Sequence, residues 1–260
     1  MSTRRGAYKY YSILDTLLML NLIRKNIPNA LTCANLFCGC VGIAFAFKGG
    51  LDYAAYTIFI SAIFDFLDGF AARLLNAYSI IGKELDSLAD VVSFGVLPGA
   101  IIYGLFLQTG KTEVINVWLN YVAFLVPVFS ALRLAKFNTD ERQVDYFIGL
   151  PTPANAILIA SFPIIINSQG QFYRQYLLNR YLLIAFVIIM CSLLVLEVPM
   201  MSLKFKTFHF GKNIYRYLLI LLSIFLLLFF KFAAIPAIIF VYIILSIFQF
   251  KLSKNVEIPG

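Results

Sequence analysis

Charge is scarce in this sequence. Asp, Glu, Lys and Arg supply 13% of its 260 residues, about half the share typical of a soluble domain. Hydrophobic residues supply 61%, more than one soluble core can absorb, so a soluble globular fold is excluded. Histidine is almost missing. The single copy, His209, lies among lysines in a basic loop and reads as solvated rather than catalytic. The four cysteines, Cys33, Cys38, Cys40 and Cys191, all fall in apolar segments. A C-x4-C-x-C spacing on one apolar helix suits neither a zinc site nor a disulfide framework. Repeats of 20–50 residues and low-complexity tracts are absent. A cleavable leader is not expected either: Arg4 and Arg5 imitate its basic start, but no small-residue cleavage site follows.

Long apolar runs, by contrast, are everywhere. Stretches long enough for a transmembrane helix, about 18 residues or more, recur near 31–47, 53–74, 87–107, 114–135, 151–167, 180–197, 215–231 and 233–250. The expectation is an all-α polytopic membrane protein with six to eight spans, the last two forming a hairpin. "SILDTLLMLNLIRKN" (12–26) reads as an amphipathic helix in the membrane interface. Pro28 and Asn29 in "IPNALT" (27–32) are expected to end it before the first span. "GCVG" (39–42) places two glycines three apart on one helix face, a small-residue pattern that lets helices approach closely.

The formal charge of +8 follows from topology rather than from nucleic-acid binding. When the N-terminus and alternate loops share one side, that side collects sixteen of the 21 Lys and Arg residues. The positive-inside rule then makes it cytoplasmic, and the excess also suits anionic membrane lipids. The expected domains are an N-terminal segment, 1–28, a catalytic transmembrane domain, 29–200, and a basic loop with a C-terminal hairpin, 201–260.

Against this background, "FDFLDGFAARLLNAYSIIGKELDSLAD" (64–90) places five acidic residues inside apolar sequence. Asp65 and Asp68 are spaced i, i+3, and Asp86 and Asp90 are spaced i, i+4, so each pair shares a helix face. Two helices joined by a short loop can converge all four carboxylates. Bare carboxylates crowded in a low-dielectric site repel one another, and divalent cations remove that objection. Oxygen-only ligands select hard ions such as Mg²⁺ or Mn²⁺. Gly82 continues the Asp86–Asp90 stripe and clears space, and Arg73 ends the second span where a guanidinium suits phosphate oxygens. These parts point to a metal-bound diphosphate site. Pairing of intramembrane aspartates with lysines, or a proton or ion relay, is the competing reading for any single one of them.

The spacing Asp65-x2-Asp68-Gly69-x2-Ala72-Arg73-x8-Gly82-x3-Asp86-x3-Asp90 resembles the signature of the CDP-alcohol phosphatidyltransferases, with no departure in residue or gap. The resemblance covers roughly residues 26 to 200. It implies a six-helix core, a homodimer, two divalent cations and transfer of a phosphatidyl group from a CDP-linked lipid to an alcohol with release of CMP. By that resemblance Asp65, Asp68 and Asp86 are metal ligands, and Asp90 faces the metals and is the general base. Gly69, Arg73, Ser79 and Gly82 match nucleotide and diphosphate positions, and Asn29 and Thr32 match a first-helix contact to the CDP-lipid.

Three further segments, "SFGVLPG" (93–99), "ALRLAKFN" (131–138) and "FIGLPTPANA" (147–156), resemble the bacterial, membrane-integral branch of the family that uses serine. The implied substrates are CDP-diacylglycerol and L-serine, and the implied location is a bacterial inner membrane with the active site facing the cytoplasm. Serine carries a carboxylate, so its site needs a cation; Arg133 and Lys136 are candidates, with positive-inside anchoring as the alternative for both. Ser93 either positions the substrate or tightens helix packing. The rival within the family, phosphatidylglycerophosphate synthase, takes a phosphorylated alcohol that calls for more than one cation. Intramembrane prenyltransferases also use aspartate-rich metal sites, but with motifs far apart in the chain. From another class, an ion-coupled transporter would need a through-pathway and broken helices in both halves.

Overall fold

The computed structural model of the chain describes residues 2–110, 114–140, 146–202 and 213–254. Side chains are described for fewer of these; those of 1–23, 111–116, 141–146 and 251–254 are outside the description. His209 and most of its basic loop lie outside the described residues.

Helices dominate because no other open structure satisfies its backbone in lipid. The first, α1, runs Ser2–Phe47. The break expected at Pro28 is not there: Pro28 lies inside the helix. A proline costs a helix the bond its missing N–H would make four residues back. Here that is the carbonyl of Arg24, a residue exposed at the start of the apolar segment, where it can be solvated. Nearby, the Thr32 hydroxyl oxygen lies 3.1 Å from the Pro28 carbonyl oxygen. The amphipathic face expected over 12–26 rests mostly on side chains outside the description.

After α1 come α2 (Leu51–Leu74), α3 (Ile80–Val91), a π-helical turn (Val92–Val96) and α4 (Leu97–Gln108). Then follow α5 (Val114–Leu119), a 3₁₀ turn (Asn120–Phe124), α6 (Leu125–Thr139), α7 (Thr152–Ser168), α8 (Gln171–Leu177) and α9 (Arg180–Val195). The chain ends in α10 (Ile214–Phe230) and α11 (Ala234–Lys254). Two three-residue strands, β1 (Tyr146–Ile148) and β2 (Pro199–Met201), pair antiparallel with Tyr146 opposite Met201.

Among the described residues, five helical stretches are long and apolar enough to cross a bilayer, six when α8 and α9, bent by 64°, count as one span. The longest, Ile214–Phe250, folds back on itself. Lys231 has φ +49, Phe230 meets Gln169 at the end of α7, and both Arg216 of α10 and Ser246 of α11 reach residues 201–202. The expected hairpin is therefore present. The third span starts at Ile80 rather than near 87, because Ser79 caps it by accepting from the Gly82 N–H at 2.9 Å.

The α3–α4 rod is the hub. Two-thirds of its apolar window is buried, against about a third for the other early spans, and Phe94, Leu97, Ile101, Ile102, Leu105 and Phe106 are fully enclosed. Close approach rests on small residues, as membrane helix packing requires. A Cβ on Gly39 would sit 2.4 Å from Ser93 Oγ, and one on Gly42 would sit 2.1 Å from Thr57 Oγ1 and 2.6 Å from Leu97. The GCVG spacing thus seats α1 against both α2 and the central rod. Polar groups collect at the two ends of the bundle. At one end, buried Arg180 donates to Asn120 and Thr109, both at 2.7 Å. The carboxylates stand at the other.

Candidate active site

Asp65 and Asp68 lie on the last turns of α2, and the chain reverses through Leu75–Ser79, with Asn76 at φ +49, to begin α3. This tight return sets α3 beside α2 and carries Asp86 to Asp65 and Asp68. Carboxylate oxygens of the three lie within 4.8 Å of one another. The Thr32 hydroxyl on α1 donates to Asp68 Oδ2 at 2.7 Å. Asp86 Oδ1 is buried without a hydrogen-bond partner.

Asp90 is not part of that triple. It sits one turn further along α3, buried, and accepts from Asn35 Nδ2 at 3.4 Å. It lies within electrostatic reach of Asp65, Asp86 and Asp68. Asn35 is pinned in turn, because its carbonyl accepts the Ser61 and Ser93 hydroxyls at 3.2 and 3.0 Å. Ser93 therefore packs the central rod onto α1; it is fully buried and is not among the residues that line the cavity beside the aspartates.

All six residues assigned to the CDP-lipid, Asn29, Thr32, Gly69, Arg73, Ser79 and Gly82, line one cavity of about 740 Å³ together with Asp68 and Asp86. Gly82 admits Asn29: a Cβ at Gly82 would lie 2.9 Å from both Asn29 Oδ1 and Ser79 Oγ. Gly69 differs. A Cβ there would meet only the Arg73 guanidinium, at 3.7 Å, an ordinary contact. Protein packing does not require this glycine, which lines the cavity. Part of the mouth is apolar: Tyr78 and Ile80 line it while remaining 72% and 84% exposed, beside the exposed Arg73, Lys83 and Glu84.

Arg133 is absent from this cavity's lining and belongs to a second polar cluster beside it. Near the end of α6, it is 6% exposed. Its Nη1 donates to Thr152 Oγ1 at 3.1 Å, its guanidinium lies 5.6 Å over the Phe137 ring, and it is within electrostatic reach of Asp90. Arg133 Nε, Ser130 Oγ and both polar atoms of Asn155 are buried without partners. Ser130 lies one turn before Arg133 on the same face of α6, and Asn155 one turn after Thr152 on the same face of α7. Buried polar groups are ordinarily hydrogen-bonded, so such a concentration of unsatisfied ones marks a place where a polar ligand fits. Lys136 is exposed. Asn35, Ser130, Thr152 and Asn155 were not anticipated; their signal is polar residues spaced i, i+3 in apolar helices, Thr32 with Asn35 and Thr152 with Asn155.

The donor set also fits a metal. Three carboxylates crowd together, one buried oxygen lacks a partner, and every donor is a hard oxygen. The four cysteines are free.

Fold and site together define an integral membrane protein whose apolar helices enclose a carboxylate-lined cavity at one end of the bundle. The family model described as CDP-alcohol phosphatidyltransferase matches residues 25–196, well over half the chain, and the protein belongs to that family. It is accordingly a transferase and not an ion-coupled transporter. Among curated relatives, the chain is 38% identical over 138 residues to the CDP-diacylglycerol–serine O-phosphatidyltransferase of Bacillus subtilis, covering 52% of this chain and 75% of that one. It is 32% identical over 203 residues to the enzyme of the same name from Helicobacter pylori, covering 76% and 80%. The like-named protein of Methanocaldococcus jannaschii is 41% identical over 135 residues, covering 52% and 59%.

Proposed function

We propose that the protein transfers the phosphatidyl group of CDP-diacylglycerol to the hydroxyl of L-serine, giving phosphatidylserine and CMP. The observation that carries this reading is the position of Asp90, within electrostatic reach of both the aspartate triple and the buried Arg133. The shared name of the relatives supports the choice of substrates.

Asn29, Thr32, Ser79 and the bare backbone at Gly69 and Gly82 receive the nucleotide and diphosphate, and Arg73 offsets phosphate charge. Asp65, Asp68 and Asp86, with Asp90 at their edge, would hold two divalent cations, Mg²⁺ or Mn²⁺, which when bound neutralise the diphosphate and the charge that builds on departing CMP. Arg133 takes the serine carboxylate, and Asn155 and Ser130 offer hydrogen bonds to its polar groups. The serine hydroxyl oxygen attacks the phosphorus that bears the diacylglycerol, the bond from that phosphorus to the CMP oxygen breaks, and the hydroxyl proton passes to an Asp90 carboxylate oxygen. Asn35, bonded to Asp90 Oδ1, orients that carboxylate.

Among the described residues Arg133 is the only buried cation at this end of the bundle. One cation matches a carboxylate better than the phosphate of glycerol 3-phosphate, which favours serine over the phosphatidylglycerophosphate branch. In a panel of alcohols with CDP-diacylglycerol, serine is expected to stimulate CMP release far more than glycerol 3-phosphate or inositol, with phosphatidylserine as the lipid product. A preference for glycerol 3-phosphate would reject the acceptor assignment and leave the family untouched. The enzyme works as a homodimer in a bacterial inner membrane with the site facing the cytoplasm; the charge distribution and the family resemblance support this. Residues 29–200 form its catalytic domain, between the N-terminal segment 1–28 and the appended 201–260.

A further inference from the structure

The α10–α11 hairpin carries no chemical motif and lies beyond the residues that the family model matches. It is nevertheless tied into the frame around Arg133. Tyr242 of α11, 5% exposed, donates its hydroxyl to the Met201 carbonyl at 3.0 Å. Ser246, one turn on, accepts from the Met201 N–H at 3.1 Å and donates to the Tyr242 carbonyl at 2.7 Å. One helix thus grips both backbone groups of Met201, the last residue of β2. Arg216 of α10 adds a bond to the Ser202 carbonyl at 2.7 Å.

The grip is passed on through β2. Met201 stands opposite Tyr146, Met200 opposite Phe147 and Pro199 opposite Ile148. The pairing continues beyond the strands, with the Gly149 N–H on the Val198 carbonyl and the Leu150 N–H on the Leu193 carbonyl, both at 2.9 Å. Gly149 is held at φ +75, where a Cβ would lie 2.5 Å from the Leu194 carbonyl oxygen, so the chain comes as near to the end of α9 as glycine allows. Two residues after Leu150 it reaches Thr152, whose hydroxyl receives Arg133. Phe147 of β1 also packs on Phe137 at 6.0 Å between centroids, and Phe137 is the ring beneath the Arg133 guanidinium. Arg133 and Tyr242 lie within electrostatic reach of each other.

We propose that the C-terminal hairpin is a positioning element of the acceptor subsite: Tyr242 and Ser246 fix the β1–β2 ladder, and the ladder fixes Arg133 through Thr152 and Phe137. This rests on the reading of Arg133 as the partner of the serine carboxylate. A guanidinium recognises a carboxylate through fixed geometry, so loosening its frame weakens acceptor binding before it touches phosphoryl chemistry. Tyr242 and Ser246 contact no substrate and act only through Arg133.

The test uses full-length Tyr242→Phe, Ser246→Ala and Arg133→Ala in detergent micelles. KM for serine, kcat and the dissociation constant of CDP-diacylglycerol are measured for each. Loss of the buried hydrogen bond to Met201, one in Tyr242→Phe and one in Ser246→Ala (which also loses its bond to the Tyr242 carbonyl), should raise the serine KM roughly 2- to 10-fold. Values of kcat within about two-fold of wild type and an unchanged CDP-lipid dissociation constant are expected, by the same reasoning. Adding Tyr242→Phe to Arg133→Ala should raise serine KM no further. If both hairpin variants keep the wild-type serine KM while Arg133→Ala raises it, the hairpin proposal fails alone. If they weaken serine and CDP-lipid binding to the same extent, the hairpin is a general brace and the proposal fails too. If Arg133→Ala leaves the serine KM unchanged, the acceptor reading falls, and the hairpin proposal with it.

Discussion

Asp65→Asn, Asp68→Asn and Asp86→Asn each reduce CMP release from CDP-diacylglycerol by roughly 10³-fold or more, and excess chelator does the same to the wild-type enzyme until Mg²⁺ or Mn²⁺ is restored. The size follows from the several kcal/mol that a cation contributes at a phosphoryl centre, each 1.4 kcal/mol being a factor of ten. The substitutions are mild for the fold. An asparagine at 68 can still accept the Thr32 hydroxyl, and one at 86 keeps its volume. Stability should move the opposite way. Three carboxylates within 4.8 Å repel one another when no cation is bound, so removing one charge relieves the apo protein. Each variant should therefore melt at or above the wild-type temperature in chelator and lose the stabilisation that added Mg²⁺ gives the wild type. Thermal melts with and without metal, run beside the CMP assay, check both signs. Full wild-type activity in excess chelator would sink the metal centre.

Asp90→Asn is expected to lower turnover by about 10²–10⁴-fold, the usual effect of losing a general base, with CDP-lipid affinity mostly retained. Asparagine keeps the size and polarity of the side chain and still accepts from Asn35, but it cannot take the serine proton. Asp90 is outside the aspartate triple and absent from the lining of the cavity proposed for the nucleotide, so with the metals saturated, ground-state binding of the lipid is expected to depend on it little. Arg73 gives the contrast: it lines that cavity, and its proposed role is to compensate phosphate charge before reaction, so Arg73→Ala is expected to weaken CDP-lipid binding instead. One negative charge beside the metals is also lost in Asp90→Asn, and the comparison is made at saturating metal. The measurements are CDP-lipid dissociation constant and maximal CMP release for both variants. Normal turnover of Asp90→Asn under these conditions would move the proton to another group.

The parts of this molecule that were legible in sequence are those that depend on local spacing. Apolar runs marked the spans because lipid imposes a length on each. The i, i+3 and i, i+4 aspartates were readable because two helices with a short turn have few ways to meet. The GCVG stripe announced a close approach, though not that Ser93 and Thr57 would fill it. The break placed at Pro28 was wrong because a proline's cost depends on where the orphaned carbonyl ends up, and here it can face water. Membrane anchoring was already the readier reading of Lys136 than of Arg133, and packing separates the two: Lys136 points outward, while Arg133 is enclosed where α6 meets α9, the π-helical turn and α7. The β1–β2 ladder, which pairs residues some fifty positions apart, and the reach of Tyr242 back to Met201 have no local signature at all.

The cavity mouth has one more implication. Tyr78 and Ile80 border the carboxylate cavity and stay exposed, so part of its rim is an apolar surface that suits acyl chains. A ligand with two acyl chains can slide in sideways without leaving the leaflet, while a small zwitterion must come from water. The two reactants are then counted in different units, one as a mole fraction of the surface and the other as a molarity. Doubling the area of bilayer around a fixed amount of enzyme and CDP-lipid halves the encounter frequency for the lipid and leaves that for the amino acid unchanged. Output from such a catalyst follows the crowding of its precursor in the membrane, so the growth of the membrane itself dilutes the supply.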